Sequence, residues 1–318
     1  RLDGFSDQWT STSSKLSFAD LPPGTYRLDV RYRNNITGAT SPVYSLEIRL
    51  KPAWYATFLA KVYRDSFASS LPKGMDIPQK LIDATAGGEL LSSLLAVSCV
   101  TVSVCCNALM VQDKVTGARR DLTMTPVRRS TLALSYYFAT IISTLIICIL
   151  ALGAGMLYLA KVGWYMSAGD VFLLLSDVVL LVLFGTALSS IINFFLSSQG
   201  QISAVGTIIS AGYGFICGAY MPISQFGAGL QKVISFLPGT YGTSLLRNHA
   251  LRGVYAEMEA QQFPAEIIES IKDSIDCNLY FFGTKVSLPA MYGILCGAIV
   301  LLIGGYVLLN LLHHKAKK

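Results

Sequence analysis

Apolar positions gather into long blocks along the carboxy-terminal three quarters of this chain. Leu90 to Gln112, Thr131 to Ala160 and Val286 to Leu312 each run without a charged residue. About 20 helical residues at roughly 1.5 Å each cross a hydrocarbon core about 30 Å thick, so each block is long enough to span a bilayer. Val171 to Ser198 and Gly200 to Pro222 are interrupted only by Asp177 and by polar uncharged residues. The pattern predicts five transmembrane helices, over about 89–112, 131–160, 171–197, 201–222 and 286–312. The amino-terminal segment has a different period. Tyr26 to Tyr32 and Tyr44 to Leu50 alternate apolar and polar residues, as half-buried strands do. Pro22-Pro23-Gly24 and Asn34 to Gly38 supply the turns. The expected fold is therefore mainly α: a polytopic helical bundle behind a small antiparallel β-sandwich. Residues 1–55 form the sandwich, 56–88 a linker and 89–318 the transmembrane domain.

Composition sharpens this reading. Hydrophobic residues make up 53% of the 318 and charged residues 14%, against about 25% charged in an ordinary soluble domain. The net charge of +6 sits in short clusters between the apolar blocks rather than along one face, which argues for membrane topology and against nucleic-acid binding. Six of the seven cysteines lie inside apolar blocks and read as small hydrophobes. Cys277 lies outside them and either pairs with Cys217 or remains a free thiol. The sequence opens with Arg1 and carries no signal peptide, so the reading expects the true start to lie upstream.

Charge also orients the helices. The link after the first span holds Lys114, Arg119, Arg120, Arg128 and Arg129 against Asp113 and Asp121, and the tail holds Lys315, Lys317 and Lys318. Short basic loops stay on the cytoplasmic side, and five crossings place both of these there. The amino-terminal module, residues 161–170 and residues 223–285 then lie outside, with a tight inner turn at 197–201. Such a chain is a multi-pass protein of the cytoplasmic membrane.

Two resemblances follow from particular residues. Leu2, Gly4, Trp9, Leu21 to Tyr26, Val30, Asn35, Gly38 and Pro52 to Tyr55 resemble the three-tyrosine (Y_Y_Y) domain of bacterial hybrid sensor kinases. The loop with Asp113, Lys114, Gly117 and Asp121, the segment Gly218 to Ile223, and Phe236 to Gly242 followed by Leu246-Arg247 resemble the permease subunit of an ABC-2 type transporter. That likeness covers about residues 61–318. It implies an exporter built from two permease subunits, in a homo- or heterodimer, and two ATPase subunits, with the loop from Gln112 to Arg129 contacting the ATPase. The chain has no Gly-x-x-x-x-Gly-Lys-[Ser/Thr] phosphate loop, so ATP and magnesium are expected on the partner and no cofactor on this chain. The elbow helix and first crossing helix of the family are absent from this sequence, with the three-tyrosine module in their place.

The candidate functional residues fall into two groups. Asp113, Lys114, Gly117, Arg119, Arg120, Asp121, Arg128 and Arg129 form the expected ATPase-coupling loop, which is also suited to a brief amphipathic helix anchored on anionic lipid. Asp177, Tyr220, Pro222, Pro238 and Tyr241 are candidates for a substrate path. A carboxylate within a span is costly unless it is paired or hydrated, so Asp177 either meets water near the outer headgroups or serves the path. Gly206, Ser210, Gly212, Gly214 and Gly218 suit close helix packing, including between subunits. Phe226, Leu230, Val233, Ile234 and Leu237 recur at helical spacing and suit an interfacial or re-entrant segment. Glu266, Glu269, Asp273 and Asp276 read as a solvated face. His249, His313 and His314 lack Cys or carboxylate neighbours at metal-ligand spacing, and no nucleophile–base pair is visible. The function expected is that of an ABC-2 type permease, not an enzyme. The alternatives are a membrane-anchored extracytoplasmic sensor or a non-functional fusion of two gene fragments.

Overall fold

A computed structural model describes residues 2–3, 24–30, 40, 44–50, 78–124 and 129–315. The chain divides into two compact units, Arg1–Val62 and Tyr63–Lys318.

In the first unit β1 (Leu2–Asp3), β2 (Gly24–Val30) and β3 (Tyr44–Leu50) form one antiparallel sheet in the order β1-β2-β3. The register sets Leu28 opposite both Leu2 and Leu46, Tyr26 opposite Ile48 and Val30 opposite Tyr44. The apolar positions of the alternation are thus cross-strand partners, the pairing that stabilises a sheet. The expected sandwich is corrected here. A sandwich needs a second facing sheet, and the described strands make a single layer.

The second unit is helical. Its elements are α1 (Gln79–Thr116), α2 (Ala118–Met124), α3 (Arg129–Val162), α4 (Ala168–Phe195), α5 (Gln199–Ile216), α6 (Ala228–Ile234), α7 (Pro238–Ala260), α8 (Ala265–Ser274) and α9 (Leu288–Lys315), with a hairpin of β4 (Tyr280–Phe281) and β5 (Thr284–Lys285) before α9. A bilayer offers no water to backbone amides, which is why apolar blocks of this length become helices. The ends carry local signals. Ser167 and Asp170 form a capping box on α4, Ser198 and Gln201 form another on α5, and Pro238 occupies the first turn of α7. α1 stops at Gly117, whose φ of 87° is left-handed.

Among the described residues four helices are long and apolar enough to cross a membrane: α1, α3, α4 and α9. The fifth predicted span, 201–222, is shorter than expected. α5 has 18 residues, about 27 Å of rise, and its first turn carries Gln199 and Gln201. Its far end breaks at Gly218, where φ is +73°, and the amides of Ala219 and Tyr220 both turn back to the Gly214 carbonyl.

Side-chain bonds fix the helix directions. Lys114 near the end of α1 reaches the end of α4, Tyr306 of α9 reaches Met110 of α1, and Tyr292 of α9 reaches Asp177 of α4. α1, α4 and α9 therefore run the same way. α3 runs the other way, since its Tyr136 meets Asp113 and its Leu159 lies against Gly87. The α1–α2 link and the end of α9 consequently share one end of the bundle.

α7 packs against α1, α4 and α9. Leu95, Cys99, Leu174, Val178, Leu181, Leu245, Leu246 and Leu295 form the main core between them. A smaller core of Leu81, Leu251, Val254, Met258, Ile268 and Ile271 joins the start of α1 to α7 and α8. Leu150 and Leu157 on α3 and Val300 and Leu301 on α9 project outward, as lipid-facing side chains do.

Candidate functional site

Two polar clusters and one stitched helix end organise the bundle. Asp177, nine positions into α4 and so about 13 Å from its start, is 1% exposed. Its Oδ2 lies 2.5 Å from His249 Nδ1 on α7, and its Oδ1 accepts a hydrogen bond from the Tyr292 hydroxyl on α9. This overturns the expectation of a hydrated Asp177: packed helices shield it from water and give it two hydrogen-bond partners. His249, set aside in the sequence for want of a nearby carboxylate, finds one on another helix.

Two residues earlier on α7, Arg247 is also 1% exposed. Its guanidinium donates to the Gly218 carbonyl at 2.7 Å and to Ser93 Oγ of α1 at 3.2 Å, and pairs with Asp276 Oδ2 at 3.4 Å. The same Asp276 oxygen accepts from the Ile223 amide at 2.7 Å. Burial pushes the Asp276 carboxyl above its ordinary range, opposed by Arg247 and by the amide bonds. Asp276 therefore leaves the solvated acidic face to which the sequence assigned it. Glu266, Glu269 and Asp273 remain at least partly accessible, and Glu269 pairs with Lys285, which holds its carboxyl below the usual range. Glu89 of α1, 1% exposed, stands within electrostatic reach of Arg247, and its Oε2 has no hydrogen-bond partner among the described residues.

At the opposite end, the Tyr136 hydroxyl of α3 donates to Asp113 at 2.5 Å. Lys114 Nζ donates to the Asn193 and Phe194 carbonyls at 3.1 and 3.3 Å, satisfying the open C-terminal end of α4 where a cation also suits the helix dipole. Deeper along the same seam, Asn107 donates to Ser189 and Ser190, both at 3.0 Å. Asp113 and Lys114 thus bind α1 to its neighbours, and Gly117 allows the reversal into α2, which carries Arg119, Arg120 and Asp121. Arg128 lies outside the described residues, and Arg129 opens α3.

The path candidates do not converge on one point. Tyr220, 40% exposed, packs edge-to-face on Phe215 and lies over Gly214. Pro222 starts a short 3-10 turn over Ile223–Gln225, and Pro238 starts α7. Tyr241 is buried, and its hydroxyl donates to the Ser235 carbonyl at 2.6 Å. Gly206 and Gly212 on α5 face open space, while Gly214 and Gly218 meet Tyr220 and Ile223. Of the segment at 226–237, Ile234 is buried whereas Leu230, Val233 and Phe236 are exposed. Cys217 and Cys277 are both buried free thiols. Among the described residues no set of three or more His, Cys, Asp and Glu gathers around a common point for a metal.

Comparison with known families agrees with this architecture. Residues 1–51 match the model of the Y_Y_Y domain. Residues 41–250 match the model described as ABC-2 type transporter, a span that begins earlier and ends sooner than the likeness read from the sequence, stopping within α7. No curated protein matches the chain. With about two thirds of its residues under that model, and with helices able to cross a bilayer, the chain belongs to the ABC-2 type transporter family.

Proposed function

We propose that this chain is the permease subunit of an exporter driven by ATP hydrolysis on a separate ATPase. The observation that carries the reading is the stitched end of the bundle. A short helix, α2, hangs from Gly117 directly beside Asp113 and Lys114, which tie α1 to α3 and α4. A push on α2 therefore reaches three membrane helices through hydrogen bonds rather than through a slack loop. In this reading the basic link and the tail face the cell interior, the Y_Y_Y module faces outward, and the partner binds ATP and magnesium. A second permease subunit is supported by the open Gly206 and Gly212 face of α5 and by a groove of about 720 Å³ between α1, α4 and α5. Asp177, Tyr220, Pro222, Pro238 and Tyr241 are proposed to border the route of the substrate. Charge reversal at Arg119→Glu and Arg120→Glu tests the reading. Loss of co-purification with a co-expressed ABC ATPase that binds the parent chain, in a variant that still folds, supports it; unchanged association overturns it.

A second reading has its own support in residues 1–51: the Y_Y_Y match favours an outward ligand-sensing module for which the helices are an anchor. A soluble ligand that alters the melting of the chain without any ATPase partner would favour that alternative.

A further inference from the structure

At the end of the bundle where α9 begins, α6, α8 and the β4–β5 hairpin enclose a cavity of about 560 Å³, within the range of small-ligand sites. Its wall carries both signs of charge. Lys232 of α6 is exposed and makes no ion pair among the described residues. Asp273 of α8 accepts from Asn278 and Tyr280 on Oδ1 alone, so Oδ2 keeps its acceptor capacity. Asp276, also in the wall, is held by Arg247.

The cavity is edged by Phe282, which joins an aromatic cluster outside it. Phe236, Phe281 and Phe282 stack edge-to-face on one another, with centroids 4.9 to 5.9 Å apart, yet Phe236 and Phe282 are each more than 60% exposed. Phe282 and Gly283 are the two central residues of the hairpin turn, with φ +48° and +84°, the left-handed pair such a turn requires, and the turn presents the Phe282 ring outward. The surroundings say what covers it. The hairpin passes through only Val286 and Ser287 into the apolar span that starts at Leu288. An exposed Trp164 lies between α3 and α4, in keeping with an aromatic belt at a lipid headgroup layer.

A site with one open ammonium, one open carboxylate oxygen and an aromatic edge at that depth suits an amphiphile of no net charge. We propose that the cavity binds the headgroup of a zwitterionic phospholipid, with its phosphate on Lys232, its ammonium on Asp273 and its acyl chains along Phe236, Phe281 and Phe282. The proposal requires only that the chain spans a bilayer, so its failure leaves the reading of the ATPase partnership untouched.

The test uses the full chain in detergent, with dioctanoyl phosphatidylethanolamine, dioctanoyl phosphatidylglycerol and free phosphoethanolamine as probes, and binding followed by titration calorimetry. Phosphatidylethanolamine is expected to bind about tenfold more tightly than phosphatidylglycerol, the discrimination of one charge-assisted hydrogen bond. Lys232→Gln and Asp273→Asn are each expected to weaken it about tenfold with the melting temperature unchanged, and Phe282→Ser to weaken binding of the lipid but not of free phosphoethanolamine. Equal binding of the two lipids overturns the zwitterionic assignment. Free phosphoethanolamine binding as tightly as the lipid overturns the role of the aromatic edge, and variants that bind like the parent overturn the location.

Discussion

Asp177 and His249 are 72 positions apart in the chain and 2.5 Å apart in the fold, joined at Oδ2 and Nδ1 in the middle of three packed helices. With Tyr292 on the other carboxylate oxygen, they make the contact by which α4, α7 and α9 recognise one another. A polar group buried among apolar helices is costly when unpartnered, so this contact selects one rotation of each helix over the others.

Replacing Asp177 by Leu takes the hydrogen-bond partner from the buried His249 and the half-buried Tyr292 and is expected to cost about 2–4 kcal/mol of stability. The Asp177→Leu/His249→Leu double variant should lose distinctly less than the sum of the two single changes. Equilibrium unfolding in detergent measures all three, and strict additivity would show that the residues act independently.

Arg247→Met takes away the cation that opposes the burial of Asp276. The carboxyl of Asp276 already titrates above its ordinary 3.8 in the folded chain, so folding favours its neutral form. That contribution is fully present below the ordinary value and is lost as pH rises through the raised one. Without Arg247 the folded value rises further, and the decline in the midpoint of thermal unfolding with rising pH should extend to higher pH than in the parent. Parallel pH profiles for variant and parent would contradict this.

The Cys277 thiol, buried with the Tyr255 hydroxyl 3.2 Å from its sulfur, is pushed up to about 12 by burial. Thiolate is the reactive form, so peptide mapping after maleimide treatment at pH 8 should find Cys277 unmodified in the folded chain and modified after denaturation. Modification at equal rates in both states would place it in an open environment.

Gly253 separates two backbones. A methyl group there would collide with the Tyr165 carbonyl oxygen, and because backbone cannot swing aside, Gly253→Ala should destabilise by about 1–3 kcal/mol or more. Gly206→Ala and Gly212→Ala meet no atom within 4 Å and should leave the melting of the single chain unchanged or slightly raised. If the open face of α5 receives a second copy, these two changes should instead shift the monomer–dimer balance in size-exclusion chromatography.

The helices were legible in the sequence because a bilayer makes run length and charge sufficient evidence for a span. α5 came out short for a local reason that the sequence also carries: Gln199 and Gln201 open it and Gly218 breaks it. The polar contacts were not legible. Asp177 finds His249 at a separation of 72 positions and Arg247 finds Asp276 at 29, and nothing in a linear pattern distinguishes a loop carboxylate that returns to the core from one that stays in water. Asp113 and Lys114 were singled out as contacts for a partner, and the contacts they make within the chain, to Tyr136 and to the carbonyls ending α4, were not foreseen. A signal the sequence did carry, unused above, was Arg247 and His249 lying two positions apart in a helix segment, 239–251, otherwise without charge.

On α7 those two side chains leave the axis about 200° apart, one fastened toward α1 and Asp276, the other toward α4 and α9. A shaft keyed on both flanks does not slip in its housing; it turns only when the housing turns. α1, α4, α7 and α9 are thereby committed to travel as one block, and the freedom to swing is left to α5, which leans on α1 and shows bare glycines on its outer side.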